Sequence, residues 1–272
     1  MGSGPDHQTV IYNGCTRSKF TFADISRKVK MSDDNVKKAI IVGATSGIGR
    51  QLAKLLTDNN YRVGITGRRS EILEEIKSEC PDLYYISAFD VALPSNVQHL
   101  EKLLTELGGL DLIVFSSGTG ELNEPLDFDI EKRTIDTNIV GFTCVVDWAF
   151  NYFKRQGYGH LLGISSVGGH RGSRHSPAYN ATKAYQINYL EALRQKATHD
   201  NLPICVTDIR PGFVATAMAK GEGKFWVATA QKAADQIWIA IKKGKKIAYI
   251  TKRWQIVAVV LKYLPRRLYD RI

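Results

Sequence analysis

Little in this 272-residue chain offers a metal site, a disulfide framework or a membrane span. Its four cysteines, Cys15, Cys80, Cys144 and Cys205, lie far apart with no CxxC pair, and its six histidines show no ligand spacing. That scarcity argues against a disulfide scaffold and a zinc module, and no metal is expected. It predicts reduced thiols in a cytoplasmic protein, three of them buried. The first thirty residues contain no apolar run, so no secretory signal is read there. Internal repeats and low-complexity segments are also missing.

The formal net charge of +10 invites a nucleic-acid reading until it is located. Residues 242–272 hold ten Lys/Arg against one Asp, net +9, and residues 1–38 hold seven against four, net +3. The body between them is left at −2. A basic surface spread over the fold is thereby excluded, and no nucleic-acid partner is expected.

Residues 1–36 form an N-terminal extension without a convincing period, apart from a short helix expected around Phe20–Val29. "SDDNVKK" after Met31 suits a native start, so the preceding residues read as a leader or an expression remnant. From Lys38 onward, seven short apolar runs ("AIIVG", "RVGITG", "LYYISA", "LDLIVFS", "HLLGIS", "ICVTDI", "KIAYIT") alternate with amphipathic helical stretches. Strands apolar on both faces need cover on both faces, which crossover helices provide. The expectation is one α/β domain over 37–251, a doubly wound, mostly parallel sheet in a three-layer sandwich, followed by a basic tail at 252–272.

The first strand runs into "GATSGIGRQLAKLL", with Gly43, Gly47 and Gly49 at the strand-to-helix turn. Glycines allow a tight turn and let a phosphate approach backbone amides, which the positive helix end then favours. In the first βα unit this points to a dinucleotide. The second strand ends in "ITGRRSE": Gly67 stands where an NAD enzyme carries an acid, and Arg68 and Arg69 follow. Guanidinium groups suit a 2′-phosphate, so NADP(H) is expected in preference to NAD(H), with Arg50 as a further cation. Asp90, after the third strand, reads equally as an acceptor for an adenine amino group or as a turn and cap residue.

Tyr179 and Lys183, in "AYNATKAY", are one helical turn apart and share a face. Ser166 ends "GISS", thirteen residues before the tyrosine. Glycine turn, "ISS", "YNATK" and "RPGFVAT" together resemble the short-chain dehydrogenase/reductase family over about Lys38 to Ile250. The resemblance implies an NADP-dependent oxidoreductase acting on a small-molecule carbonyl or alcohol. Tyr179 is then the general acid/base, its phenol made more acidic by the Lys183 ammonium. Ser166 polarises the carbonyl, with Ser165 as its rival, and Asn138 in "DTNIVG" positions a water relaying protons through Lys183. The cofactor contacts it implies are Gly43, Thr45, Ser46, Gly47, Ile48, Gly49, Arg68, Arg69, Asp90, Val91, Ser116, Gly118, Asn138, Tyr179, Lys183, Pro211, Gly212, Val214 and Thr216.

The chain departs from the family where many relatives read Asn-Asn-Ala-Gly. It has Phe115, Ser116, Ser117 and Gly118, and Val42 replaces a frequent threonine. "GGHRGSRH" brings His170, Arg171, Arg174 and His175 to the border of the cleft, either as cations for an acidic substrate or as a solvated loop. "AMAKGEGKFWVA" (Ala217 to Ala228) reads as a mobile lid with an aromatic underside, or as a loop whose aromatics anchor it. In the tail, an apolar run from Trp254 to Leu264 is too short to span a bilayer, which needs roughly 20 residues. It packs across a subunit boundary, caps the cleft or lies on an anionic membrane, with packing the leading expectation. Family habit implies a homodimer or homotetramer. The alternative to an enzyme is a catalytically silent NADP-binding regulatory or membrane-peripheral protein on the same fold.

Overall fold

The computed structural model describes residues 36–216, 218 and 225–271. The leader reading, the helix expected at Phe20–Val29 and most of the lid fall outside the described residues.

The seven apolar runs form one parallel sheet. Its strands are β1 (Lys37–Val42), β2 (Tyr61–Gly67), β3 (Tyr84–Ala88), β4 (Leu112–Phe115), β5 (Gly159–Ile164), β6 (Ile204–Pro211) and β9 (Ile247–Ile250). Between the last two, β7 (Val214–Ala215) pairs with β8 (Ala228–Thr229) as a separate parallel ribbon. The order across the main sheet is β3-β2-β1-β4-β5-β6-β9.

Strand β1 shows why both faces are covered. Successive side chains alternate in direction, so Ala39 and Ile41 enter one core while Ile40 and Val42 enter the other. The first core is closed by α1 (Gly47–Thr57), α2 (Ser70–Glu79) and α7 (Ala230–Lys242), through residues such as Leu52, Leu73 and Ile237. The second is closed by α3 (Asn96–Leu107), α5 (Phe142–Gln156) and α6 (Pro177–His199), through Leu100, Phe142 and Leu190. Helix α4 (Phe128–Ile135) reaches α5 through a π-helical turn, Asp136–Gly141. Because β1 pairs with β2 on one side and β4 on the other, the winding reverses there and opens a crevice at the strand C-termini.

The tail folds back on its own chain. Helix α8 (Arg253–Tyr263) buries Trp254 and Ala258 against Val167, and α9 (Arg266–Tyr269) follows it. Arg171 donates from Nε to the Leu261 carbonyl at 2.7 Å and from Nη2 to the Leu264 carbonyl. Tyr269 donates its hydroxyl to the Gly172 carbonyl. The three described cysteines are free thiols and only partly buried, short of the burial expected of them. No helix among the described residues is long and apolar enough to cross a membrane.

His160 of β5 is wholly buried, with Nε2 2.8 Å from Thr207 Oγ1. Burial pushes its pKa down to about 4, against about 6.5 in the unfolded chain. Between those values the unfolded chain binds the proton that the folded chain refuses, so stability falls as pH falls from about 6.5 to about 4. The expected loss is about 3 kcal/mol. Urea unfolding across that window should show the slope in the wild type and a flatter curve in His160→Gln; parallel curves would refute it.

Candidate active site

After β1 the chain turns sharply through Gly43, at φ +93°, into α1. A Cβ on Gly43 would lie 2.6 Å from the Ser117 amide nitrogen, and one on Gly49 would lie 2.1 Å from the Gly43 carbonyl oxygen. Backbone meets backbone at both places, so only glycine fits. Ser46 caps α1 in extended conformation without a side-chain hydrogen bond, leaving the first-turn amides for an anion. Thr216 comes over this turn, its methyl 3.0 Å from where a Gly47 Cβ would be. Thr45, Ser46 and Ile48 thus sit at the open N-terminus of α1.

Gly67 has a packing reason as well, since a Cβ there would lie 2.7 Å from the Thr45 methyl. Arg69 donates to Thr45 Oγ1 at 2.7 Å. Arg68, with its side chain 74 % exposed, stands 3.6 Å from Asp90 Oδ2. The other Asp90 oxygen accepts from the Ala92 amide at 3.0 Å, a turn contact. Arg50 does not join this group. Glu75 and Glu79 face it from successive turns of α2 and take its guanidinium at 2.7 and 3.1 Å.

Val91 is buried, its carbonyl accepting from Asn96 Nδ2 at 2.7 Å. Ser116 donates its amide to the Val42 carbonyl at 2.8 Å, extending the β1–β4 ladder by one step. Gly118 passes over the polar centre: a Cβ there would be 3.4 Å from Asn138 Oδ1 and 3.5 Å from Lys183 Nζ. Phe115 enters the core edge-on to Phe142, with ring centroids 5.1 Å apart. Pro211 ends β6, and Gly212 lies flat under the Trp254 indole, which leaves no room for a side chain. Val214 is buried in the β7–β8 ribbon.

Ser166, Tyr179, Lys183 and Asn138 come together at the C-terminal ends of β4 and β5. Ser166 caps a 3₁₀ turn, Val167–His170, by accepting from the Gly168 amide at 3.0 Å. Its hydroxyl lies close enough to the Tyr179 phenol to lower the phenol's pKa. Pro177 opens α6, and Tyr179 and Lys183 follow on one face, the ammonium 5.8 Å from the phenol ring centroid. Lys183 is only 4 % exposed and donates to the Ile164 carbonyl at 3.0 Å and to Gln186 Oε1 at 2.9 Å. Burial pulls its pKa down to about 8, with Asp208 opposing. The expected lowering of the Tyr179 pKa is not seen in the folded chain alone. Burial pushes the phenol up, and the Ser166 hydroxyl only partly offsets it.

Asn138 lies in the π-helical turn, wholly buried. Its Oδ1 accepts from the Thr119 amide at 2.9 Å, and its Nδ2 donates to the Thr119 carbonyl at 2.7 Å and to Thr182 Oγ1 at 3.0 Å. Its backbone carbonyl accepts from Gln186 Nε2 at 2.9 Å. The Gln186 amide thus bridges the Lys183 ammonium and the Asn138 carbonyl. Sequence reasoning missed this residue. Its signal was faint: a glutamine one turn after the lysine on a helix face that is otherwise buried.

Also missed was the polar layer beneath. Ser165 donates to Asp208 Oδ1 at 2.5 Å and to the Ile209 carbonyl at 3.1 Å. Arg210 Nε donates to Asp208 Oδ2 at 2.6 Å and its Nη1 reaches the Tyr249 hydroxyl at 3.2 Å. Burial pushes the Asp208 carboxyl up, with Arg210 and Ser165 opposing. An acid and an arginine two apart in an apolar strand was the readable sign. The geometry also separates the two serines, since Ser165 faces this layer and Ser166 faces the phenol.

The cleft-border cations are mostly engaged locally. His170 stacks on Tyr249 at 6.4 Å, and burial, Arg210 and Lys262 hold its pKa down. Arg171 serves the tail, while Arg174 donates to His175, which faces Glu124 at 3.2 Å. Of the lid's aromatics, Phe225 stacks on Trp254 at 5.0 Å and Trp226 meets it edge-on at 6.3 Å, the anchoring arrangement.

The serine distinction is measurable. Ser165→Ala removes a hydrogen bond from a buried carboxylate and should cost about 2 kcal/mol, whereas Ser166→Ala should stay within about 1 kcal/mol. Chemical denaturation of both variants gives the comparison, and equal losses would contradict it.

The chain matches the family model described as short chain dehydrogenase over residues 37–225. An uncharacterized oxidoreductase of Staphylococcus epidermidis is 30 % identical over 216 residues, 78 % of this chain and 93 % of its own length. Another from Myxococcus xanthus is 29 % identical over 255 residues, 88 % and 97 % of the respective chains. Among solved structures, a 3-ketoacyl-(acyl-carrier-protein) reductase from Brucella melitensis complexed with NADH superposes with TM-score 0.71 at 22 % identity, covering 78 % of this chain and 94 % of that one. A short chain dehydrogenase from Burkholderia cenocepacia in complex with NADP gives 0.74 at 19 % identity, covering 87 % and 97 %. With the family match spanning the sheet from β1 to beyond β7, this chain belongs to the short-chain dehydrogenase family of oxidoreductases.

Proposed function

We propose that the chain is an NADP(H)-dependent oxidoreductase that interconverts a small-molecule carbonyl and its alcohol, with Tyr179 as general acid/base. The observation carrying this reading is the buried Lys183 ammonium 5.8 Å from the Tyr179 ring centroid, on one helix face beside Ser166. It faces the crevice that the glycine turn opens.

The residues at that crevice fit a dinucleotide. Gly43 and Gly49 leave no space for side chains, the first turn of α1 is uncapped by Ser46, and Thr216 closes over it. Bound there, the nicotinamide supplies or accepts the hydride. In reduction the carbonyl oxygen accepts hydrogen bonds from Ser166 and Tyr179, and the tyrosine passes its proton to the forming alkoxide. A phenol whose pKa burial holds up stays protonated, which suits donation in that direction. Lys183 holds the cofactor ribose and provides the positive charge behind the phenol. Gln186 and Asn138 fix where that charge stands.

Arg68 and Arg69 support NADP(H) over NAD(H). A pair as exposed as Arg68–Asp90, at 3.6 Å, contributes only about 0.5 kcal/mol. A hydrogen bond to a charged group contributes about 1.5–3 kcal/mol, so exchange for a 2′-phosphate is favourable. Gly67 carries no carboxylate to repel a 2′-phosphate, and a Cβ there would crowd the Thr45 methyl at 2.7 Å.

Two measurements bear on this. Fluorescence titration should show NADPH binding more tightly than NADH, with Arg68→Ala weakening NADPH about tenfold and leaving NADH unaffected. Equal wild-type affinities would remove the NADP assignment. For the chemistry, a panel of carbonyl compounds followed by NADPH absorbance should reveal turnover that Tyr179→Phe abolishes while cofactor binding persists. A Tyr179→Phe variant that keeps its rate would overturn the acid/base role.

A further inference from the structure

We propose that α8, with the aromatic lip at its start, docks the protein on the surface of an anionic lipid bilayer. The helix is apolar on two opposite sides. Trp254, Ala258 and, partly, Val257 and Leu261 face Val167 and Tyr249. Opposite them Ile256, Val259, Val260 and Tyr263 recur at i, i+3, i+4 and i+7, all more than half exposed. Among the described residues nothing covers that second stripe, and water disfavours it.

The stripe continues at the N-terminal end. Phe225, Trp226 and Val227 are exposed, and Arg253 lies over the Trp226 ring at 5.8 Å. Arg253, Ile256 and Val260, spaced i, i+3 and i+7, place this lip and the stripe along one strip of the helix. Tryptophan begins the surface and Tyr263 ends it, the residues favoured where hydrocarbon meets headgroups.

Charge names the occupant. Residues 252–271 carry six Lys/Arg and one acid, Asp270, and all six basic residues are exposed. Each such residue near an anionic leaflet strengthens binding roughly fivefold. A second copy of the chain on this face would bring two sets of like charges together across the same apolar stripe, which disfavours that partner. The helix is too short to cross a bilayer, so contact is peripheral, with the stripe at headgroup depth.

The test is co-sedimentation of the full chain with vesicles of phosphatidylglycerol and phosphatidylcholine, against pure phosphatidylcholine, at low and high salt. Binding should need the anionic lipid and weaken with salt. Val260→Glu or Ile256→Glu, at exposed positions that leave the melting temperature in place, should lower partitioning about tenfold. The double variant Arg266→Ser/Arg267→Ser, in α9 rather than α8, should lower it without touching the apolar stripe. The proposal is overturned if the wild type ignores anionic vesicles, if it binds both compositions alike, or if none of the variants reduces binding. It is also overturned if sedimentation equilibrium shows Val260→Glu turning an oligomer into a monomer, which would assign the face to a second copy.

Discussion

A lysine ammonium held at 4 % exposure is the constraint around which the cleft is built. An unpaired cation at that depth costs several kcal/mol, so every acceptor near it has to be fixed. The Ile164 carbonyl at the end of β5 supplies one, and Gln186 supplies another from the next turn of α6. Gln186 is itself held by the Asn138 carbonyl. That carbonyl is accessible because the π-helical turn diverts the Phe142 amide to Ile139. Behind them Asp208 contributes negative potential without a direct contact, and burial still leaves the lysine near pKa 8.

The same layer explains the paired serines. Two successive residues leaving a strand point to opposite sides. Ser165 goes down to Asp208 at 2.5 Å and Ser166 goes up to Tyr179. Asp208 is thus shared between the floor of the site and the Arg210–Tyr249 pair, and Tyr249 in turn packs on His170 of the 3₁₀ turn. The position of Ser166 therefore depends on a chain of buried polar contacts running into the edge strand β9.

What the sequence made legible was local in nature. A strand that is apolar at every position, a glycine turn and a Tyr–Lys pair one turn apart each declare themselves within a few residues, because helix and strand periods decide which side chains meet. Partners distant in sequence were not legible. Arg50 looked like a cofactor cation because it follows the glycine turn, yet the acids that capture it, Glu75 and Glu79, come from the next helix. Gln186 and Asp208 draw their importance from residues 48 and 43 positions away. Asp90 stayed ambiguous because a turn residue and a ligand acceptor share the same short polar chemistry, and its hydrogen bond to the Ala92 amide appears only in three dimensions.

The tail marked off by its charge packs against the body of the domain. Charge and hydropathy change sharply after residue 251, which makes the tail look separable. In the structure, the last carbonyls of α8 lack intrahelical donors, as those of any helix do. Arg171, which by position alone reads as a cleft cation, fills that need at Leu261 and Leu264. Tyr269 returns a hydrogen bond to Gly172. The loop between Ser166 and Tyr179 and the C-terminal helices complete each other's hydrogen bonding. A load on the outer face of α8 is therefore borne by the same loop that positions Ser166, and the tail is part of the architecture of the cleft.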